Sequence, residues 1–141
     1  MKLKQALPIA IAAAFALAAS ANAQSPSMRM DVPFPFLAGN EVLPAGVYQV
    51  KVDDQFHRLL IEPHEGGPIR ALPFASGITE RKQSNAWDGV LQFQKIGERF
   101  VLRAAFRAGH VEGYYLMRSK AERELAKGAA EGETATVSEL R

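Results

Sequence analysis

Apolar residues recur at every second position through much of the chain, which is the pattern of half-buried β-strands. The first such segment places five apolar side chains on one strand face: Met28, Met30, Val32, Phe34 and Phe36. Pro33 and Pro35 fall on the other face, and because proline has no N–H to donate, this strand is expected at a sheet edge. Such an edge could accept a strand from a partner, although the unbroken apolar face favours a place in the core.

Further strands follow at short spacing and are separated by turns. They are predicted at 48–52, 56–62, 69–75, 90–96, 100–106 and 114–117. Leu43 to Gly46 predicts a type II turn with glycine at positive φ, and Gly97 with Glu98 predicts a tight hairpin. The polar segment 77–85 is expected to be a long loop. In 100–106 the large apolar residues share one face, which leaves Arg103 to face water.

The period then changes to that of a helix. Ser119 followed by Glu122 is a capping-box pattern, and Gly128 is placed as a helix stop. The segment 129–141 has few large apolar groups and is expected to be a disordered tail. The sequence therefore predicts a mainly β domain at 28–128, after a linker at 24–27. Its fold is a compact antiparallel β-sandwich or small β-barrel of about seven strands with a short C-terminal helix.

The first 23 residues have the parts of a secretory signal peptide. Lys2 and Lys4 supply a positive start, an alanine-rich apolar stretch follows, and Ala21 and Ala23 are the small residues that a signal peptidase requires. We expect cleavage between Ala23 and Gln24, export to the periplasm or the extracellular space, and no membrane span in the mature chain.

Three sequence blocks occur together in this chain. They are 32–36 (VPFPF) with 43–50 (LPAGVYQV), 91–102 (LQFQKIGERFVL), and 113–122 (GYYLMRSKAE). As a set they resemble a family of small exported proteins common in acidobacteria, with a PFxF…LPAGxYxV…GxxLxxSxxE pattern. The resemblance implies no activity, because none is established for that family. The chain departs from it at Phe106, where tryptophan is frequent, and at 116–119, where Leu-Pro-Lys-Ser is usual.

Charge and cysteine content exclude several classes of function. The chain has 17 basic and 15 acidic residues, and two of the basic residues belong to the leader. The mature chain is therefore close to neutral, which gives no support for nucleic-acid binding. The absence of cysteine excludes disulfides, thiol nucleophiles and cysteine-ligated zinc.

Reactive side chains are not spaced as in catalytic or metal sites. His57, His64 and His110 show no metal-ligand spacing. Ser76 and Ser84 lie outside any nucleophile-elbow pattern. We therefore expect no catalytic residues, no cofactor and no metal, and we expect that the protein is not an enzyme.

A binding role is the hypothesis that remains. Trp87 ends the polar segment, and of the adjacent Tyr114 and Tyr115 one is expected to face the core and the other outward. Trp87 and Tyr115 are the candidate ligand-binding residues, for an apolar or sugar ligand or a protein partner, although the packing tendency of aromatic residues favours a place for Trp87 at one end of the core. The sequence predicts an exported, non-enzymatic binding or envelope-associated structural module. The alternatives are a carrier of a small apolar ligand in a barrel and, less favoured, a metal-assisted hydrolase.

Overall fold

The computed structural model describes residues 27–80, 88–110 and 112–140, and its strands build a β-sandwich. The elements in chain order are β1 (Ser27–Val32), β2 (Phe36–Ala38), β3 (Glu41–Leu43), β4 (Gly46–Asp53), β5 (Arg58–Pro63), β6 (Arg70–Glu80), β7 (Val90–Ile96), β8 (Arg99–Phe106), β9 (Glu112–Leu116), α1 (Lys120–Gly128) and β10 (Glu131–Ser138). The expectation of a mainly β fold with one short C-terminal helix is confirmed. The described residues contain ten strands rather than about seven.

The strands form two layers that share β6. In the front layer β1, β4, β5 and the beginning of β6 pair antiparallel in that order. In the back layer the rest of β6 pairs with β9, and β8, β7 and β10 follow. The short β2 runs parallel to the start of β8 and pairs with β3. The sheet does not close on itself, so the sandwich is the architecture formed and the barrel is not.

The core lies between the two layers and uses the alternation seen in the sequence. One cluster of buried side chains draws on nearly every strand: Met28, Met30, Val32, Phe36, Tyr48, Val50, Val52, Leu59, Ile61, Leu72, Phe74, Leu91, Phe93, Leu102, Leu116 and Val137. Inward and outward residues alternate along β1, β4 and β5 because successive strand side chains point to opposite faces.

The prolines divide the first predicted strand into two. β1 ends at Val32 and lies in the front layer, whereas β2 begins at Phe36 and lies in the back layer. The chain crosses between the layers at 33–35, because two prolines in three residues remove the N–H groups that would continue a ladder. β1 does lie at the edge of the β1-β4-β5-β6 order, as the prolines predicted.

The two turn predictions had different outcomes. Gly97 adopts φ of +61° and joins β7 to β8 in a tight hairpin, which is confirmed. Gly46 does not have positive φ, so the predicted type II turn is wrong and Gly46 instead begins β4. The Tyr48 hydroxyl donates a hydrogen bond to the Pro44 carbonyl four residues earlier, and this bond closes the corner between β3 and β4.

Two segments expected to lack regular structure contain strands. β6 runs on through 77–80 and pairs with β9, which corrects the loop expected there, and 81–85 lie outside the described residues. The segment 129–141 is not a disordered tail over its described part, because β10 pairs antiparallel with β7. Val137 is its buried apolar residue. Backbone hydrogen bonds to a neighbouring strand hold this polar segment, and composition does not reveal such pairing.

No helix in the described part of the chain is long and apolar enough to cross a membrane. The signal peptide predicted at 1–23 and residues 24–26 of the linker lie outside the described residues, and Ser27 of the linker begins β1.

Candidate functional site

Within the described residues, the outer face of the back layer is partly covered by α1 and partly open. The helix packs its apolar side over Leu37, Ile96 and Val101, which form a second, smaller hydrophobic cluster with Ala121 and Leu125. Beside the helix the same face carries polar side chains. The boundary between covered and open surface lies where α1 begins.

A polar cleft of about 320 Å³ occupies this open part of the face. We name it the Arg103 cleft. The strands contribute Gln92, Phe93 and Gln94 of β7, Arg103 of β8, Tyr115 of β9 and Thr134 of β10, and the segment between β9 and α1 contributes Arg118. Its volume is at the lower end of the range for small-ligand pockets. Its walls present guanidinium, amide, phenol and hydroxyl groups, all of which bind by hydrogen bonds.

Arg103 lies at a β-bulge of β8 and lines the cleft. Gln92 pairs with Ala104 and Phe93 pairs with Leu102, so Arg103 is an extra residue on β8 at this point. A bulge of this kind bends its strand and redirects a side chain, and bulges are frequent beside binding sites. Arg103 does lie on the outer face of the layer, as the alternation predicted, but its side chain is only 16% exposed because Glu122 of α1 pairs with it there. A second register irregularity, between Glu131 and Thr134 of β10, lies at the rim of the same cleft.

A buried carboxylate holds the Arg103 guanidinium. Glu122 is 3% exposed, and its Oε1 accepts a hydrogen bond from Nη1 of Arg103. Nε of Arg118 lies 3.8 Å from the same oxygen. Two guanidinium groups of the cleft therefore share one carboxylate. Burying a charge is costly unless it is paired, so this pair constrains both partners to one arrangement.

The start of α1 determines where Glu122 lies. The Ser119 Oγ accepts a hydrogen bond from the Glu122 N–H at 3.0 Å and donates one to the Gly39 carbonyl at 2.6 Å. The Ala121 N–H donates to Oδ1 of Asn40 at 3.1 Å. The capping box is thus half formed, because the Ser119 cap is present while the Glu122 carboxylate pairs with Arg103. These contacts fasten the helix to the turn between β2 and β3.

The two adjacent tyrosines face opposite sides of β9. Tyr114 packs against the core with its ring centroid 4.6 Å from that of Phe74, and Tyr115 lines the cleft. Burial raises the pKa of Tyr114, and a hydrogen bond with Asp54 raises it further. Tyr115 is therefore the predicted ligand-binding residue that lies in a cleft. Trp87, the other candidate, lies outside the described residues.

The histidines of the sequence do not converge. His57 has φ of +49° in the turn after β4 and packs its ring edge to face with Phe74, at 5.8 Å between centroids. His64 and His110 lie in or beside separate turns. In the ranges that the structure describes, no three His, Asp or Glu side chains are grouped so as to hold a metal ion.

The interior of the sandwich contains packed aromatic rings where a ligand carrier would need space. Phe34 stacks on Phe100 with centroids 4.0 Å apart, and it meets Phe93 edge to face at 5.0 Å. Phe36 also contacts Phe93, at 5.2 Å. These four rings fill the region that a carrier of an apolar ligand would have to leave open, so the open sheet and filled interior weigh against that alternative.

Most residues of the cleft were not identified from the sequence. The available signal was Arg103 itself, a lone charge within the apolar run 100–106. Strand alternation correctly assigned it to the outer face, but alternation does not show that Glu122 of α1 covers it there. Glu122 was noticed only as a capping residue, because its ion pair joins positions that are distant in the chain.

Comparison of the chain with protein-family models, with curated proteins and with solved structures finds no match.

Proposed function

We propose that the protein is a non-enzymatic binding module that holds a small polar ligand in the Arg103 cleft. The observation that carries the proposal is the arginine in the wall of the cleft, which is 16% exposed and is fixed by a carboxylate that is itself buried. An arrangement that buries two charges contributes little to stability compared with apolar packing. A guanidinium held in this way beside a cleft suits the recognition of a ligand.

The groups around Arg103 support binding rather than catalysis. Gln92, Tyr115 and Thr134 offer amide and hydroxyl groups at the cleft wall. Among the described residues that line the cleft, no serine, histidine or carboxylate is placed as a nucleophile or general base. Such a set suits the recognition of hydroxyl, carbonyl or acidic groups on a small molecule.

Native mass spectrometry of the protein from its own envelope fraction tests this function. We expect a bound small molecule that Gln92→Ala and Tyr115→Ala lose while their far-UV spectra remain those of a β protein. Gln49→Ala, which alters a half-buried glutamine of the front layer, should keep the molecule. A molecule retained by both cleft variants, or none on the unaltered protein, would contradict the proposal.

A further inference from the structure

We propose that the Arg103 cleft recognises a carboxylate, and that its ligand is a small hydroxylated organic acid. This inference rests on the proposed function and specifies the ligand class of the same site. It depends on the donors of Arg103, on how the guanidinium is held, and on the groups around it.

The guanidinium of Arg103 has more donors than its protein partner uses. A guanidinium carries five N–H groups in a planar fork, and the fork matches a carboxylate in two parallel hydrogen bonds. Glu122 accepts from Nη1, and Arg103 also lines the cleft. The donors that Glu122 does not occupy therefore suit a second carboxylate approaching from the cleft.

Glu122 lines a different depression from the Arg103 cleft. Its carboxylate lines a separate depression, of about 200 Å³, together with Gly39, Asn40 and Ser119. It is not among the residues that line the Arg103 cleft. No acidic residue occurs among the described residues of the cleft wall, so an anion entering there meets guanidinium and amide groups.

The guanidinium is held in place before a ligand arrives. The bulge at Arg103 and the ion pair with Glu122 fix the side chain in one orientation. A donor that is already fixed loses less conformational freedom when it binds, which favours affinity and selects for ligand geometry. Arg118 supplies a second guanidinium at the same wall.

The remaining groups favour a ligand that carries hydroxyls as well as an acid. Gln92 and Tyr115 can each donate and accept hydrogen bonds, so they match hydroxyl groups in either role. The phenol ring of Tyr115 can also pack against a sugar ring or an aliphatic chain. The cleft volume limits the ligand to a small molecule.

Calorimetric titration with glucuronate, glucose and acetate at constant ionic strength tests the inference. We expect glucuronate to bind about tenfold or more tightly than glucose, because a charged hydrogen-bonded pair contributes more than a neutral one. Acetate should compete with glucuronate. If glucose binds as tightly as glucuronate and Gln92→Ala abolishes this binding, the carboxylate inference is overturned while the proposed function stays intact. If neither glucuronate nor acetate binds, the inference is overturned directly.

A double variant removes the ion pair without leaving a buried charge. Arg103→Met with Glu122→Leu replaces both partners by apolar residues of similar volume, which proteins commonly tolerate. We expect the preference for glucuronate over glucose to disappear. Arg70→Met with Glu41→Leu makes the same change in an ion pair between β6 and β3, outside the cleft, and should keep the preference. Glucuronate selectivity that survives the first double variant would overturn the role of Arg103.

Because the first double variant could alter folding, Gln92→Glu provides a second test. It leaves Arg103 and Glu122 in place and adds a negative charge to the cleft wall. Glucuronate affinity should fall about tenfold or more, and glucose affinity should change less. An equal loss for both ligands would contradict recognition of the carboxylate.

Discussion

The ion pair between Arg103 and Glu122 is the side-chain interaction on which the cleft depends most. It joins the middle of β8 to the first turn of α1, and both side chains are largely removed from water. A carboxylate in the first turn is also favoured by the helix dipole. Removing either partner alone therefore leaves a charge without its compensating partner inside the protein.

Glu122→Ala is expected to lower the free energy of unfolding by about 3 kcal/mol, because it leaves Arg103 buried beside an apolar gap. Urea unfolding followed by far-UV circular dichroism measures the change. Glu124→Ala in the same helix is the matched control, because Glu124 forms an exposed pair with Lys127 at 3.0 Å. That variant should lose less than about 1 kcal/mol. Equal losses of unfolding free energy in the two variants would show that the Glu122 carboxylate does not form a buried, stabilising ion pair.

Two tyrosines have raised pKa values and should give the fold a defined sensitivity to alkaline pH. Burial raises the pKa of both Tyr48 and Tyr114 above the ordinary value of 10.0. The folded protein keeps these protons when the unfolded chain loses them. Their contribution to stability is therefore fully present below pH 10 and is lost as the pH rises through the folded pKa values.

Spectrophotometric titration of phenolate absorbance checks this expectation. In the folded protein part of the absorbance change should occur above pH 10, and in urea the whole change should occur near pH 10. Tyr48→Phe and Tyr114→Phe should each remove a share of the late change. A folded protein in which all three tyrosines titrate as they do in urea would contradict the raised values.

Among the strands, β10 is the one that departs most from expectation. It pairs with β7 along most of its length, and the residues directly after it reach the front layer, where Met30 bridges to Glu139. The Leu140 N–H donates to the Arg29 carbonyl at 2.8 Å. The C-terminal segment therefore connects the two layers along one side of the sandwich.

Val137→Asp tests whether β10 is part of the folded domain. Val137 is 9% exposed, so an aspartate there would bury a charge and lower the free energy of unfolding by about 2 kcal/mol or more. Val42→Asp in β3 is the matched control, because Val42 is 51% exposed and should tolerate the change. If both variants lower the free energy of unfolding by the same small amount in urea, β10 is not packed against the rest of the domain.

At the scale of the whole molecule, the described residues cover the outer face of the back layer with α1 and leave part of that face open beside the helix. Apolar clusters lie on both sides of this layer, one between the layers and one under the helix. The Arg103 cleft lies next to the second cluster. A layer held on both faces can support a fixed site because its strands have little freedom to shift.

We also propose that the protein works outside the cytoplasm, on the basis of the leader alone. The intact mass of the protein from the envelope fraction should lack residues 1–23 and begin at Gln24. The substitution of Ala23 by a bulky residue such as arginine should block cleavage and leave the full-length mass. A full-length mass in the unaltered protein would contradict signal cleavage.

Local patterns in the sequence were enough to predict the mainly β class, the inward faces of β1, β4 and β5, the hairpin at Gly97 and the Ser119 cap. Each of these depends on residues close together in the chain. Strand alternation follows from the pleat, a tight hairpin from one glycine, and a helix start from one hydroxyl. The same alternation predicted that Tyr114 and Tyr115 face opposite sides, and the structure shows that Tyr115 is the one in the cleft.

The Arg103 cleft and the strand β10 depend on contacts between segments that are distant in sequence. Arg103 is shielded from solvent because Glu122 pairs with it, and Glu122 reaches it only because α1 is fastened to the turn at Gly39. β10 is ordered because β7 presents a backbone edge to it. Strand register and long-range backbone pairing produce no periodic pattern in a single sequence, so only the tertiary structure determines them.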